Sequence, residues 1–208
     1  MELVQAIRER ISVRRYRSDA VPHEVIEQLL EIARWAPSGS NSQPWRVTVV
    51  SGAALEAWRA ALSARLEANW DAERREAFDR RVRTGSLAGL LDLSALSPYD
   101  LLVLGSNRFY DAPVALVFSF LGEPGNRTPD GIPSFVTTLL LAAHELGLGT
   151  CWLGFVMAQS DLLRKYALLS AGEQPAAVIA LGYPDADAPE NRFRSPREPV
   201  EAFTRWVE

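Results

Sequence analysis

Between residues 132 and 148 the chain carries a nearly unbroken apolar series, interrupted chiefly by Ser134, Thr137 and Thr138 and, near its end, by His144 and Glu145. Written as a helix, this stretch is apolar around most of its circumference. Such a helix must be buried on several sides or sit in a subunit interface. Either way, other elements have to wrap around it, and the rest of the sequence supplies them.

Residues 45–50 and 112–121 read as strands from their β-branched and apolar runs, and residues 176–181 as a third. Residues 149–153 read as a short bend or strand. Leu3, Ile7 and Ile11 recur at helical spacing. Pro22 opens a second helix, whose stripe is Ile26, Leu29, Leu30, Ala33 and Ala36. Leu55, Trp58, Leu62 and Leu66 mark a third. Ser160 is placed to cap a later helix, and the proline-bearing tail from Pro184 reads as extended. Residues 71–83 are highly charged and helix-compatible, and residues 84–111 are irregular. The pattern is one α+β (α/β) domain over residues 1–208, with a variable insertion or lid at about 71–111. No internal repeat is present.

The inventory of chemical groups is short. One cysteine, Cys151, excludes an internal disulfide or a CxxC site, and His23 and His144 are the only imidazoles. A zinc site built on several His and Cys ligands is therefore not expected, nor any other metal. No GxxxxGK[ST] and no GxSxG occurs, so P-loop and nucleophile-elbow chemistries are also out. The net charge of −4 argues against nonspecific nucleic-acid binding. No apolar run approaches transmembrane length and no signal-peptide region follows the charged start, which points to a cytoplasmic protein. An enzyme so equipped would need something other than its side chains to carry the hard chemistry.

Three strings could hold such a group. In Arg10-x-Ser12-x-Arg14, alternate residues of an extended segment face one side, so two guanidiniums and a hydroxyl could meet one anion. The alternative is a serine among surface arginines. Residues 36–45, rich in Pro, Ser, Gly and Asn, would let backbone approach a flat ligand closely, or simply stop a helix. Residues 147–154 resemble a glycine fingerprint, but they follow a helix and carry Trp152 where the last glycine belongs. Cys151 reads as a buried structural thiol, and His144 as a core or interface residue. Further arginines, Arg192, Arg194 and Arg197, gather near the end.

Taken together, the strings at residues 10–16, 33–45 and 141–152 resemble the nitroreductase family of FMN-dependent flavoproteins, in order and spacing along nearly the whole chain except roughly residues 52–111. The resemblance implies a central, mainly antiparallel sheet flanked by helices, in an intertwined homodimer with two FMN sites at its interface. By similarity, Arg10 and Ser12 would hold the FMN phosphate, within the string that includes Ile11 and Val13. Arg192 and Arg194 would complete that site, and Arg14 would sit near the flavin ring. Pro37, Ser38, Gly39, Asn41 and Gln43 would line the flavin from the other subunit. Leu153 and Gly154 match the place where backbone N–H groups face the flavin N5 edge.

The implied activity is reduction of nitroaromatics, quinones or related small-molecule acceptors with NADH or NADPH, by ping-pong hydride transfer through the flavin. Arg14 would give electrostatic support, and no side chain would act as acid, base or nucleophile. Tyr99, Arg108, Phe109 and Tyr110 are candidates for a substrate channel, or ordinary packing residues. The alternatives are an FMN-dependent oxidase or dehydrogenase of a specific metabolite, and a non-catalytic flavin-binding protein.

Overall fold

The computed structural model describes residues 2–85, 97–123 and 127–207. The middle of the expected insertion, residues 86–96, lies outside the described residues. Helix α1 (Leu3–Glu9) is followed by α2 (His23–Ala33), strand β1 (Arg46–Ser51), α3 (Gly52–Asn69) and α4 (Ala72–Thr84). A π-helical turn (Tyr99–Leu104) runs into the single turn α5 (Gly105–Asn107). Then come β2 (Val114–Leu121), α6 (Gly131–Glu145), β3 (Gly149–Trp152), α7 (Ser160–Tyr166) and β4 (Glu173–Gly182).

The four strands form one antiparallel sheet in the order β1-β2-β4-β3. Side chains alternate across it, as period-two geometry requires. Ala115, Val117, Val178, Ala180 and Cys151 face α3, α4 and α7, packing on Trp58, Leu62, Phe78 and Leu163. Val114, Leu116, Phe118, Ile179 and Leu181 face α2 and α6, packing on Leu29, Phe135, Val136 and Leu139. Strand β2 is therefore buried on both faces and reads as a continuous apolar run.

Strand β4 begins at Glu173, earlier than the sequence suggests, because Pro175 does not end it. The register shifts between Phe118 and Ser119, opposite that proline. The bulge interrupts the ladder where proline, lacking an N–H, cannot donate.

The apolar helix is α6, buried along Ile132, Phe135, Val136, Leu139, Ala142 and Ala143. It stops three residues before the apolar series does. The Leu148 N–H returns to the Ala143 carbonyl at 2.8 Å and the Gly147 N–H to His144 at 3.1 Å. Gly147 sits at φ +72°. This is a Schellman ending, which needs glycine at its left-handed position. Ser160 is the first residue of α7 rather than its cap, and its side chain makes no capping bond. The tail is extended apart from single turns at Pro189–Asn191 and Val200–Ala202.

Two features go beyond the pattern in the sequence. Where it is described, the irregular segment is packed against the sheet. Tyr99, Leu101, Val103, Phe109 and Tyr110 are buried in the core beneath β2. The stripe of α1 is not buried within the chain: Leu3 is 66% and Ile7 55% exposed, and Ala6 alone of this helix is buried. Among the described residues, no helix is long and apolar enough to cross a membrane.

Candidate functional site

The Arg10–Arg14 segment leaves α1 and runs beside β3. The Val13 N–H donates to the Thr150 carbonyl at 2.9 Å, and Ser12 pairs with Thr150 in a parallel bridge. Val13 points into the core, where its methyls pack so closely that a Cβ on Gly149 would stand 2.8 Å from Cγ2. Its neighbours therefore face outward together. Arg10, Ser12 and Arg14 line one cavity of about 540 Å³, as the alternation in the sequence predicts.

The chain's other end closes this cavity. Phe193, Arg194, Ser195 and Arg197 form its second wall, and Arg8 and Ile7 come from α1. The guanidinium of Arg194 donates to the carbonyls of Glu9 and, at 3.4 Å, Arg8. Those carbonyls belong to the last turn of α1, where they lack helical partners. This contact joins the two arginine-rich ends. Arg192 behaves differently from its expected pairing: it donates to the Asp187 carbonyl at 2.9 Å and does not line the cavity, whereas Arg197 does.

Asn191 fastens the cationic segment. Its Oδ1 accepts the N–H groups of Arg14 at 2.7 Å and Arg15 at 3.2 Å, and its Nδ2 donates to the carbonyls of Arg15 at 2.7 Å and Asp185 at 2.8 Å. Sequence reasoning missed this residue. Its only signal was an asparagine between Glu190 and Arg192 in a tail that looked merely extended.

Five arginines thus line the cavity, and among the described residues no carboxylate does. Burial, and then the neighbouring Arg197, press the Arg10 guanidinium below its ordinary pKa. The Nε of Arg14 is buried without a hydrogen-bond partner. Crowded, unneutralised cations beside an orphaned donor are what an anionic ligand would satisfy. Beneath them Cys151 is buried, and desolvation pushes its thiol up to about 11 against the opposing pull of Arg14. It is therefore a protonated thiol at neutral pH, not a nucleophile.

The loop at residues 37–43 lies elsewhere. Ser40, Asn41 and Gln43 adopt positive φ of 53°, 53° and 42°, a costly run for residues with a Cβ. The Ser38 Oγ accepts the Gln43 N–H at 3.0 Å. The loop is seated on Gly131, the first residue of α6, where a Cβ would meet that of Ser38 at 2.7 Å. Pro37, Gly39, Asn41 and Gln43 are exposed. The Arg10–Arg14 segment borders the other end of the helix, near His144 and Gly147. The 15 residues of α6 separate the two ends by about 22 Å. The structure therefore does not bring these two parts of the expected site together within one chain.

Leu153 and Gly154 divide their roles. The Leu153 N–H is committed to the Val178 carbonyl at 2.8 Å, so it is not available to a ligand. A Cβ at Gly154 would meet nothing within 4 Å, which leaves open space for close approach there. Of the channel candidates, Tyr99 and Phe109 are buried in the core, while Arg108 pairs with Asp111 at 2.8 Å. Tyr110 and Arg108 line a smaller cavity of about 180 Å³ on the other side of Arg14.

The chain is similar to known proteins along nearly its whole length. The nitrobenzene nitroreductase of Ectopseudomonas oleovorans is 30% identical over 97% of this chain and 95% of its own length. The 4-nitrobenzoate reductase of Pseudomonas putida is 31% identical, over 95% and 92%. The crystal structure of the FMN-dependent nitroreductase NfnB from Mycobacterium smegmatis in complex with NADPH superposes with a TM-score of 0.76 at 29% identity, covering 99% of this chain and 97% of that one. The model of the nitroreductase family matches residues 7–183, from the α1 wall of the cavity through the sheet, and the chain belongs to that family.

Proposed function

We propose that this protein is an FMN-dependent NAD(P)H oxidoreductase that reduces nitroaromatics, quinones or related electrophilic acceptors. The observation that carries the reading is the cavity lined by five arginines, with Arg14's buried Nε left unpartnered. These residues fit FMN. Arg10, Ser12 and Arg194 suit its phosphate, with Arg197 in the place expected of Arg192. Arg14 would supply a positive charge to the ring, and the open backbone at Gly154 would leave it room.

When bound, FMN supplies hydride acceptance from a nicotinamide and delivery to the acceptor. The chain's own part is binding and electrostatics. Asn191 holds the Arg14–Arg15 backbone so that the guanidiniums are positioned before the ligand arrives. No ionisable side chain is needed as acid, base or nucleophile. The reading places the enzyme in the cytoplasm, where its nicotinamide donors are regenerated.

The site is completed by a second copy of the chain. The length of α6, about 22 Å, lies between the loop at residues 37–43 and the arginine-bearing segment of its own chain. A partner would bring its own loop, with Ser38, Gly39, Asn41 and Gln43, to the cavity. Leu3, Val4, Ile7, Trp35, Phe203 and Trp206 are exposed in the single chain and supply an apolar surface for that contact.

The test is NAD(P)H oxidation by the purified protein with nitrobenzene, 4-nitrobenzoate or a quinone. Turnover that depends on both acceptor and FMN is expected, from a particle of twice 23.0 kDa by light scattering. FMN-independent turnover, or a monomer with FMN bound, would contradict the proposal.

A further inference from the structure

Between Arg108 and Ala112 the backbone takes a shape that L-residues avoid. Phe109, Tyr110 and Asp111 have successive φ values of +56°, +52° and +60°. That is one turn of left-handed helix with no glycine in it. Neighbours hold it on every side. The Asp111 carboxylate takes the Arg108 guanidinium at 2.8 Å and approaches Arg15 at 4.0 Å. The Phe109 ring is fully buried against Trp58, with centroids 4.8 Å apart.

Core packing explains Phe109 but not the phenol of Tyr110. That ring lies on Gly105, where a Cβ would stand 2.5 Å from its Cε1. Any other residue at 105 would push it away. Tyr110 is buried and lines the smaller cavity together with Arg14, whose positive charge acts on its hydroxyl. A phenylalanine would fill the same space without needing a polar partner.

The choice of a phenol has an electrostatic consequence. Burial raises the Tyr110 hydroxyl well above its ordinary pKa, so it stays neutral. Cys151 and Tyr16, near Arg14, are raised by burial as well; Asp100, Asp111 and Glu190 line the same smaller cavity, with Arg15 and Arg108 there beside them and Asp111 paired to Arg108. A carboxylate in this place would fix Arg14 and cancel its charge. A neutral phenol can accept from the guanidinium and leave the positive charge undiminished on the cavity side.

We infer that Tyr110, aimed by the left-handed turn at residues 109–111, is a positioning residue that orients Arg14 toward the ligand cavity while leaving its charge intact. This rests on the proposed FMN function. Arg14 would then act on the negative charge that the ring acquires on reduction.

The test is the midpoint potential of bound FMN in Tyr110→Phe. A tenfold loss in the reduction equilibrium is expected, a fall of about 30 mV for a two-electron couple. FMN affinity should change far less. In an Arg14→Met background, with FMN supplied in excess, Tyr110→Phe should cause no further shift. An unchanged potential in Tyr110→Phe, or an equal shift with Arg14 absent, would make Tyr110 a packing residue and overturn the inference. A wild-type protein that takes up no FMN would instead remove the proposed function, and this role with it.

Discussion

The two ends of the chain meet at Asn191, and its removal should loosen both the fold and the site. Its amide makes four bonds: to the N–H groups of Arg14 and Arg15 and to the carbonyls of Arg15 and Asp185. A protein hydrogen bond contributes about 0.5–1.5 kcal/mol net, so four sum to about 2–6 kcal/mol as an upper range. Two of them are exposed and two part-buried, so water replaces part of the loss. Asn191→Ala should therefore cost about 2 kcal/mol, lowering the melting temperature by about 4–8 °C for a chain of this size. Releasing the Arg14–Arg15 backbone should also raise the FMN dissociation constant about tenfold, equivalent to about 1.4 kcal/mol.

Thermal melting and flavin-fluorescence titration read the two effects separately. Asn191→Asp is the sharper variant. It keeps size and one acceptor but turns Nδ2 into an oxygen facing two carbonyls, so it should be at least as damaging as alanine. Melting of Asn191→Ala within about 1 °C of the wild type, together with unchanged FMN affinity, would refute the clamp. Wild-type behaviour of Asn191→Asp would refute it too.

Arg10→Ala or Arg194→Ala should lower FMN retention about 10- to 100-fold, the worth of one charge-assisted bond; Arg192→Ala, turned toward Asp187, should matter less. Full FMN occupancy in both of the first two would show the phosphate placement to be wrong. Gly149→Ala would drive a methyl into the stiff, branched Val13 and should cost about 1–3 kcal/mol in denaturant unfolding, with weaker FMN binding because Ser12 and Arg14 flank Val13. Neutral stability would mean that Val13 moves freely. The Cys151 thiol is raised from 9.0 to about 11 in the fold. Its contribution is thus complete below about pH 9 and lost as pH climbs through about 11, at most roughly 3 kcal/mol. Urea unfolding should show a decline from about pH 9 in the wild type that is shallower in Cys151→Ala, where the buried Tyr16 and Tyr110 hydroxyls, also raised, still oppose ionisation above pH 10.

Much of the layered fold could be read from the sequence because burial writes itself as periodicity. Strand β2 and helix α6 are apolar where they are covered, and the alternation Arg10, Ser12, Arg14 survives as one cavity wall. What could not be read depends on contacts distant in the chain. Strand β4 starts at Glu173, three residues before its apolar run, because a bulge opposite Ser119 accommodates Pro175. The glycines at 147 and 149 mimic a nucleotide fingerprint, yet one ends a helix and the other makes room for Val13. The irregular segment gave no hint of the left-handed turn that buries Phe109 and Tyr110, because neither is a residue that favours that conformation. The exchange of Arg192 for Arg197 at the cavity comes from how the tail folds back, which spacing alone does not set.

The measurement that bears most directly on the central claim is anaerobic addition of NADH and of NADPH to the purified, FMN-loaded protein. Bleaching of the flavin absorbance by at least one nicotinamide, and its return on adding a nitroaromatic, is the result the account predicts. Bound FMN that neither nicotinamide bleaches would contradict it.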